Sequence, residues 1–458
     1  MSEKDKTIPA GGEISEVNNE DSQETSTPAI AVKSNLRGCL QVLGAFFIFF
    51  NVWYVLSKLH NYLVLTLARG ITFAFGSFQS YYALSYISTS TSSEISWIGT
   101  IQSWLLIVGG LLSGPLFDLG YNTAMIFVGS FVAVVGMMML SLAQQYYAIF
   151  LSQGVCMGLG FGLLYVPGVA LVSRSFTERR AVALGAATSG APAGGIVYTI
   201  MFNQLIDRLG FPWTVRCMGF VMLALFMAGA VLLLGPEIKT VKAEPSGQRR
   251  SLIDVRAFRD LPFWSFVFGN FFIYLGYITP YYYIPTYAET RLGSSRTMGS
   301  NVLMISQAAS ILGRVFLTLF AHYCGSMIAW IFCGIFSGVL CICWISADTV
   351  ARFILFGAFY GGISGALVPL PPSVFAHVCP DPRSIGTWLG MAQSLGSFAT
   401  LLGPPIAGAL ASIGSTGSED LNFLGVQLFS GTVMLFGAFQ LFGLWYLLYT
   451  MRGKKGLF

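Results

Sequence analysis

Charge is what this sequence has least of. Asp, Glu, Lys and Arg make up only 10% of its 458 residues, and the mean hydropathy is +0.69. Soluble globular domains carry roughly 25% charged residues, so water is excluded as the main solvent of the chain. Histidine is scarcer still: His60, His322 and His377 form no pair at metal-ligand spacing, and no nucleophile–base constellation accompanies them, which argues against an enzyme. The eight cysteines lie in or beside apolar blocks. Even Cys341-x-Cys343 is too close for the usual zinc spacing, so neither a metal centre nor a disulfide framework is expected, and no cofactor motif is present. The 25 basic residues are scattered among loops and leave no nucleic-acid footprint. The acidic, polar amino terminus lacks the layout of a signal peptide.

What remains is apolar sequence in blocks near the ~20 residues that cross a bilayer. A first apolar region runs from Gly38 to about Leu84, followed by blocks near 95–117, 123–143, 147–172, 181–203 and 213–235. A second group lies near 262–288, 298–320, 326–346, 351–377, 384–412 and 423–449. Residues 1–37 read as a disordered cytosolic tail, 38–235 as an N-terminal six-helix bundle and 236–261 as a basic cytosolic linker. Residues 262–449 read as a C-terminal six-helix bundle and 450–458 as a second cytosolic tail. The excess of Lys and Arg fixes this orientation. With both termini inside, the inner connections hold Arg174, Arg179, Arg180, the linker cluster, Arg383 and Arg452-Gly-Lys454-Lys455, whereas the outer ones hold only Arg208, Arg216, Arg291, Arg296 and Arg352.

The two groups also look like copies of one another. Gly158-xxx-Gly162 recurs as Gly361-xxx-Gly365 at a shift of 203, and Gly185-x-Ala187-x-Ser189 as Gly390-x-Ala392-x-Ser394 at 205, while Asp118 meets His322 at 204. Nearly equal shifts in the same order mark an internal repeat, a common feature of secondary transporters.

Between the second and third blocks lies Gly114-Pro-Leu-Phe-Asp118-Leu-Gly120, which resembles the Gly-xxx-Asp-basic-x-Gly signature of the major facilitator superfamily, with Leu119 where a basic residue is usual. Ser175-Phe-Thr-Glu178-Arg179-Arg180-Ala-Val182-Ala-Leu-Gly185-Ala-Ala187-Thr-Ser189-Gly190 resembles the fifth-helix signature of the monocarboxylate porter family, with Glu178 and Val182 as departures. Ile95-Ser-Trp-Ile-Gly99, Gln153-Gly-Val-Cys-Met-Gly-Leu-Gly160 and Ile311-Leu-Gly-Arg314 resemble fungal members. The resemblance implies an all-α membrane protein with the major facilitator fold, two pseudo-symmetric six-helix bundles, and transport by alternating access. Animal members place a lysine near Ser77 and an aspartate at Ser310. Both proton-linked residues are replaced here, so a lactate-type proton symporter is not implied. The expected partners are a small organic substrate and membrane lipid, with protons as the candidate coupling ion and no nucleic acid.

Candidate substrate-binding residues follow from polarity inside the spans, which is costly in hydrocarbon and therefore points to function. Arg314 shares a helix face with Gln307 and Ser310, an arrangement suited to an anion. Asn270, Tyr274, Tyr277 and Tyr281 recur at four-three-four spacing, so one face offers an amide and three phenols to an amphipathic ligand. Gln79, Ser77, Tyr81, Tyr165, Tyr360 and Gln393 are weaker candidates. Tyr282, Tyr283 and Tyr287 fit an interfacial aromatic belt better. Asp118, Arg179, Arg180 and Arg383 are candidate members of a cytosolic gate, with Asp381 as a further acidic partner.

One segment does not fit. In the family, the run ending at Trp53 would continue directly into Gly70, so Tyr54–Arg69 reads as an extra insert. Trp53-Tyr54-Val55 is encoded by codons that contain a splice-donor-like sequence and Arg69 can supply the acceptor, so residues 54–69 read as a translated intron. Functionally, efflux of a small acidic or amphipathic secondary metabolite is the preferred expectation. Uptake of a monocarboxylate or vitamin-like compound comes next, then a non-transporting membrane receptor, and last an integral-membrane enzyme.

Overall fold

The computed structural model describes residues 70–175, 190–234, 254–380, 385–413 and 421–452. No strand occurs among them. Helix α1 (Gly70–Tyr81) ends in a π-helical turn, Tyr82–Tyr86. Helix α2 (Ser92–Asp118) opens on a capping box: the Thr91 N–H donates to the Glu94 carboxylate at 2.7 Å and the Glu94 N–H to Thr91 Oγ1 at 3.2 Å, so two orphan donors of the first turn are satisfied. Helix α3 (Asn122–Leu140) is followed by α4, in which Tyr146–Ile149, a π-helical Phe150–Cys156 and Met157–Ser175 run on without a break. Gly190–Leu234 holds two crossings, α5 (190–209) and α6 (211–234). Gly210 turns the chain between them at φ 71°, a left-handed conformation that a side chain would oppose, and Pro212 restarts the helix.

Helix α7 consists of Leu261–Tyr277 and Thr279–Thr290. Asp260 caps it by accepting from Phe263 N–H, and Pro280, which lacks an N–H, kinks it after Tyr277. Helix α8 (Arg296–Cys324) is capped by Ser295. Then come α9 (Ser326–Cys343) and α10, built from Val350–Ser364, a 3-10 turn and Leu370–Val378, followed by α11 (Ile385–Ala411) and α12 (Phe423–Arg452). Nine helical stretches among the described residues are long and apolar enough to span a membrane. One of them is the broken α5–α6 pair, and α2 carries charge only at its ends, Glu94 and Asp118. Large apolar side chains such as Phe131, Phe316, Phe359 and Phe439 point outward and stay exposed, as expected where the surroundings are lipid.

The helix pairing repeats itself. In the first half α1 packs on α5, α2 on α4, and α3 on α4 and α6; in the second, α7 packs on α11, α8 on α10, and α9 on α10 and α12. Gly158, Gly162, Gly361 and Gly365 of the sequence repeat lie in these seams. A methyl at Gly158 would meet Gln102 and, at shifts of 203 and 204, one at Gly361 would meet Ser306; in the same two seams Gly109 meets Gly162 and Gly313 meets Gly362. Backbones therefore touch directly at equivalent points of both halves, the close approach that small residues permit in lipid.

Contacts between the halves include glycine approaches too, Gly76 on the Tyr281 carbonyl and Gly408 on Ser93, and add polar side-chain bonds. Helix α2 packs on α11, α5 on α8, and α1 on the second segment of α7. Toward the end that carries the 87–91 and 291–295 connections these seams are joined by side-chain hydrogen bonds. Ser77 Oγ lies 3.3 Å from Ser300 Oγ, Ser80 donates to the Glu289 carboxylate at 2.6 Å, and Ser93 donates to the Pro405 carbonyl at 3.0 Å. Ser300 also donates to Asn203, and Asp207 pairs with Arg296, whose guanidinium lies 5.9 Å from the Tyr81 ring centroid. This end is sealed.

Candidate functional site

Two small adjoining cavities lie at mid-span where the halves meet. The first, about 20 Å³, is lined by Tyr165 of α4, Asn270 and Tyr274 of α7, and Gln393, Gly396 and Ser397 of α11, among others. The second, about 30 Å³, lies between Phe73, Ser103, Leu106, Tyr274, Tyr277 and Thr400 and their neighbours. A water needs roughly 10–15 Å³ in this measure, so the site is contracted in the conformation described. Three of the expected ligand residues, Asn270, Tyr274 and Tyr277, are brought together on its wall, with Tyr165 and Gln393 from the weaker set.

Local structure explains the placement. Asn270, Tyr274 and Tyr277 project from one side of the straight first segment of α7, and all three are buried. Asn270 Nδ2 donates to Gln393 Oε1 at 3.3 Å, and the Tyr274 hydroxyl donates to the Leu367 carbonyl at 3.3 Å. Tyr274 and Tyr277 meet edge to face at 5.6 Å between centroids, and the Tyr360 hydroxyl donates to the Tyr277 carbonyl at 2.7 Å. Beyond the kink the register changes. Tyr281 turns to Ser364, 3.0 Å away, and to the rings of Phe73 and Tyr360 instead of the cavities.

The α8 face is also buried: Gln307, Ser310 and Arg314 are each at most 1% exposed. It grips α1 at one residue. Gln307 Nε2 donates to the Phe73 carbonyl at 3.0 Å, and the Arg314 guanidinium lies 5.6 Å from the Phe73 ring centroid, a cation–π contact. Phe73 lines the second cavity, whereas Gln307 and Arg314 line neither. Nothing in the local pattern around Phe73 points to it, because its importance arises from what reaches it across the interface. Ser77, where animal porters carry lysine, instead joins the halves through Ser300.

The aromatic-belt expectation for Tyr282, Tyr283 and Tyr287 is overturned. All three are buried, none more than 3% exposed. Tyr282 OH lies 3.4 Å from Ser103 Oγ of the other half. Tyr283 OH lies 2.8 Å from Ser96 Oγ and 3.1 Å from the Pro404 carbonyl, and its one proton serves one of the two. Tyr287 OH donates to the Ala347 carbonyl at 3.0 Å. The kink at Pro280 turns these rings inward, where partners from other helices satisfy the hydroxyls. Of the gate candidates, Asp118 ends α2 with its side chain outside what is described, and Arg179, Arg180, Arg383 and Asp381 lie outside the described residues, as does the 54–69 segment.

Ahead of α7, Asp254 anchors the chain. Its carboxylate accepts from Arg256 Nη2 at 3.0 Å and from the Trp388 indole of α11 at 3.0 Å. The Arg256 hydrogen bond, helped by Trp388, lowers its pKa from 3.8 to about 2.

Among known proteins, the chain is 34% identical over 400 residues to the MFS-type transporter dbaD of Emericella nidulans, covering 87% of this chain and 84% of that one. It is 33% identical over 392 residues to the aspyridones efflux protein apdF of the same organism (85% and 77%). It is 31% identical over 403 residues to the agnestins efflux protein AgnL12 of Paecilomyces divaricatus (88% of each). Residues 41–352 match the family description of the Major Facilitator Superfamily. The helical halves related by repeated glycine seams, the mid-span cavities between them and these matches lead to one conclusion: the chain is a multi-pass membrane protein that belongs to the Major Facilitator Superfamily.

Proposed function

We propose that this chain exports a small acidic or amphipathic organic metabolite of fungal secondary metabolism by alternating access. The observation that carries the reading is the cavity pair at mid-span between two matched halves, with polar cross-half contacts closing one end. Asn270, Tyr274 and Tyr277 are the residues proposed to touch substrate. Gln307 and Arg314 hold Phe73 against the site, and Arg314 adds positive potential behind it. The names of the apdF and AgnL12 relatives, both efflux proteins, support the direction of transport, and the fifth-helix run Ser175–Gly190 supports membership of the fungal branch of the monocarboxylate porters.

On the positive-inside bias, both termini face the cytosol of a plasma-membrane protein and the sealed end faces outward. Asp118, Arg179, Arg180 and Arg383 then belong to the opposite, cytosolic gate, and protons are the candidate coupling ion. The test is metabolite profiling of medium and cytosol from fungal cells with and without the chain, alongside Asn270→Leu and Arg314→Gln. At least one organic metabolite is expected to accumulate inside cells lacking the protein and to be restored to the medium by the native chain only. No difference in any metabolite between null and complemented cells would refute export.

A further inference from the structure

In the first cavity two primary amides meet. Asn270 Nδ2 donates to Gln393 Oε1, while Asn270 Oδ1, fully buried, has no protein hydrogen-bond partner. Gly396, on the same helix as Gln393, allows the approach: a methyl there would fall 2.6 Å from Asn270 Nδ2. Two amides joined by one hydrogen bond keep an acceptor on one and N–H donors on the other, and both residues line the same space. Turning both amides over exchanges their roles and leaves the same donor-and-acceptor edge.

The rest of the lining narrows the ligand. No charged side chain lines either cavity among the described residues. Arg314 stacks on Phe73 and does not itself reach the wall. A carboxylate is acceptor-only, so it leaves Asn270 Oδ1 without a donor and adds a buried charge with no counter-charge beside it. A ligand that brings an N–H or O–H next to a carbonyl satisfies both sides of the amide pair. The rings of Tyr165 and Tyr274 on the same wall favour a flat, apolar body.

We infer that this cavity selects an uncharged, flat compound carrying a hydrogen-bond donor beside an acceptor, such as an amide, a lactam or a hydroxy-ketone, over the corresponding carboxylate. This rests on the transport reading and narrows its substrate toward the amphipathic, uncharged end.

The test is equilibrium binding to the purified full chain in lipid nanodiscs, with empty nanodiscs subtracted, using three probes of one shape: 2-naphthamide, methyl 2-naphthoate and 2-naphthoate. The amide is expected to bind at least about tenfold more tightly than the ester or the carboxylate, the order of magnitude set by leaving one buried hydrogen-bonding group unpaired. Gln393 is only half-buried, so Gln393→Leu and Gln393→Met are the tolerant substitutions, checked by size-exclusion profile. Both should erase the amide preference. Carboxylate binding as tight as amide binding, a preference untouched in folded Gln393 variants, or no binding of any probe would overturn the inference. Export measured in cells is a separate readout, so the transport reading can stand while this one falls.

Discussion

The seams inside each half and the seams between the halves both use close glycine contacts, as Gly76 on the Tyr281 carbonyl and Gly408 on Ser93 show across the halves. The seams between the halves add hydroxyl–carboxylate bonds and an ion pair among the described residues. Within a half, glycine lets one helix backbone rest on another, as at Gly109 with Gly162 and Gly361 with Ser306. Between the halves, hydroxyls, carboxylates and one ion pair make the bonds, as at Ser80 with Glu289, Tyr282 with Ser103 and Asp207 with Arg296. Backbone contact at van der Waals distance has no room to slide, because close-packed interfaces are stiff. Hydrogen bonds that exchange with water each contribute only ~0.5–1.5 kcal/mol net, so a set of them can open and reform. We read the two halves as the rigid bodies and the polar interface between them as the moving surface.

The largest effect expected from disturbing this contrast lies inside a half. Gly361→Leu drives a side chain into the Ser306 backbone, which overpacking places at ~1–3 kcal/mol or more. It should abolish monodisperse protein on size exclusion, whereas Gly443→Leu, where nothing lies within 4 Å of an added methyl, should be silent. Next comes a covalent tie across the moving surface. A Ser77→Cys, Ser300→Cys pair, oxidised across hydroxyls now 3.3 Å apart, should reduce export to background and recover it on reduction. Loss of the ion pair should matter less. Arg296 and Asp207 are 29% and 69% exposed, and such pairs are worth ~0–1 kcal/mol. Arg296→Gln should therefore shift the open-to-sealed ratio by no more than about fivefold, read as cysteine accessibility at Ser300, which is buried in the seam.

The smallest effect concerns pH at the linker anchor. The Asp254 pKa is lowered to about 2. A lowered pKa gives stabilisation that is fully present above the ordinary value near 3.8 and is lost as pH falls through the folded value near 2. Between pH 5 and 8 the anchor stays ionised, so Asp254→Asn should alter thermal stability by the same small amount across that range. A difference that grows toward pH 8 would contradict the assignment.

Much of this organisation was legible before any coordinates, because the bilayer imposes span length and lipid selects small residues where backbones meet. The expected blocks 95–117 and 298–320 became Ser92–Asp118 and Arg296–Cys324. Gly158 and Gly162, with their counterparts Gly361 and Gly365, fell into equivalent seams, whereas Gly185 lies outside the described residues. Helical spacing alone put Asn270, Tyr274 and Tyr277 on one face, and all three line the cavities. What escaped was whatever depends on two distant segments at once. Tyr282 and Tyr283 look like belt residues until Pro280 turns them toward Ser103 and Ser96. Arg314 reads as an anion site until Phe73 of α1 is seen beneath it, and no periodicity in α7 or α11 announces that Asn270 and Gln393 touch.

The central claim, that two rigid halves move about a mid-span site, is tested most directly by spin-label distances at the sealed end in lipid nanodiscs. After the native cysteines are replaced, labels at exposed Ser88 and Thr297 measure across the halves, and labels at Ser88 and exposed Leu142 measure within one. Two populated distances across the halves, exchanging weight when transported substrate is added, with one unchanged distance inside the half, are the expected result. A single cross-half distance under every condition, or a within-half distance that changes as much, would contradict it.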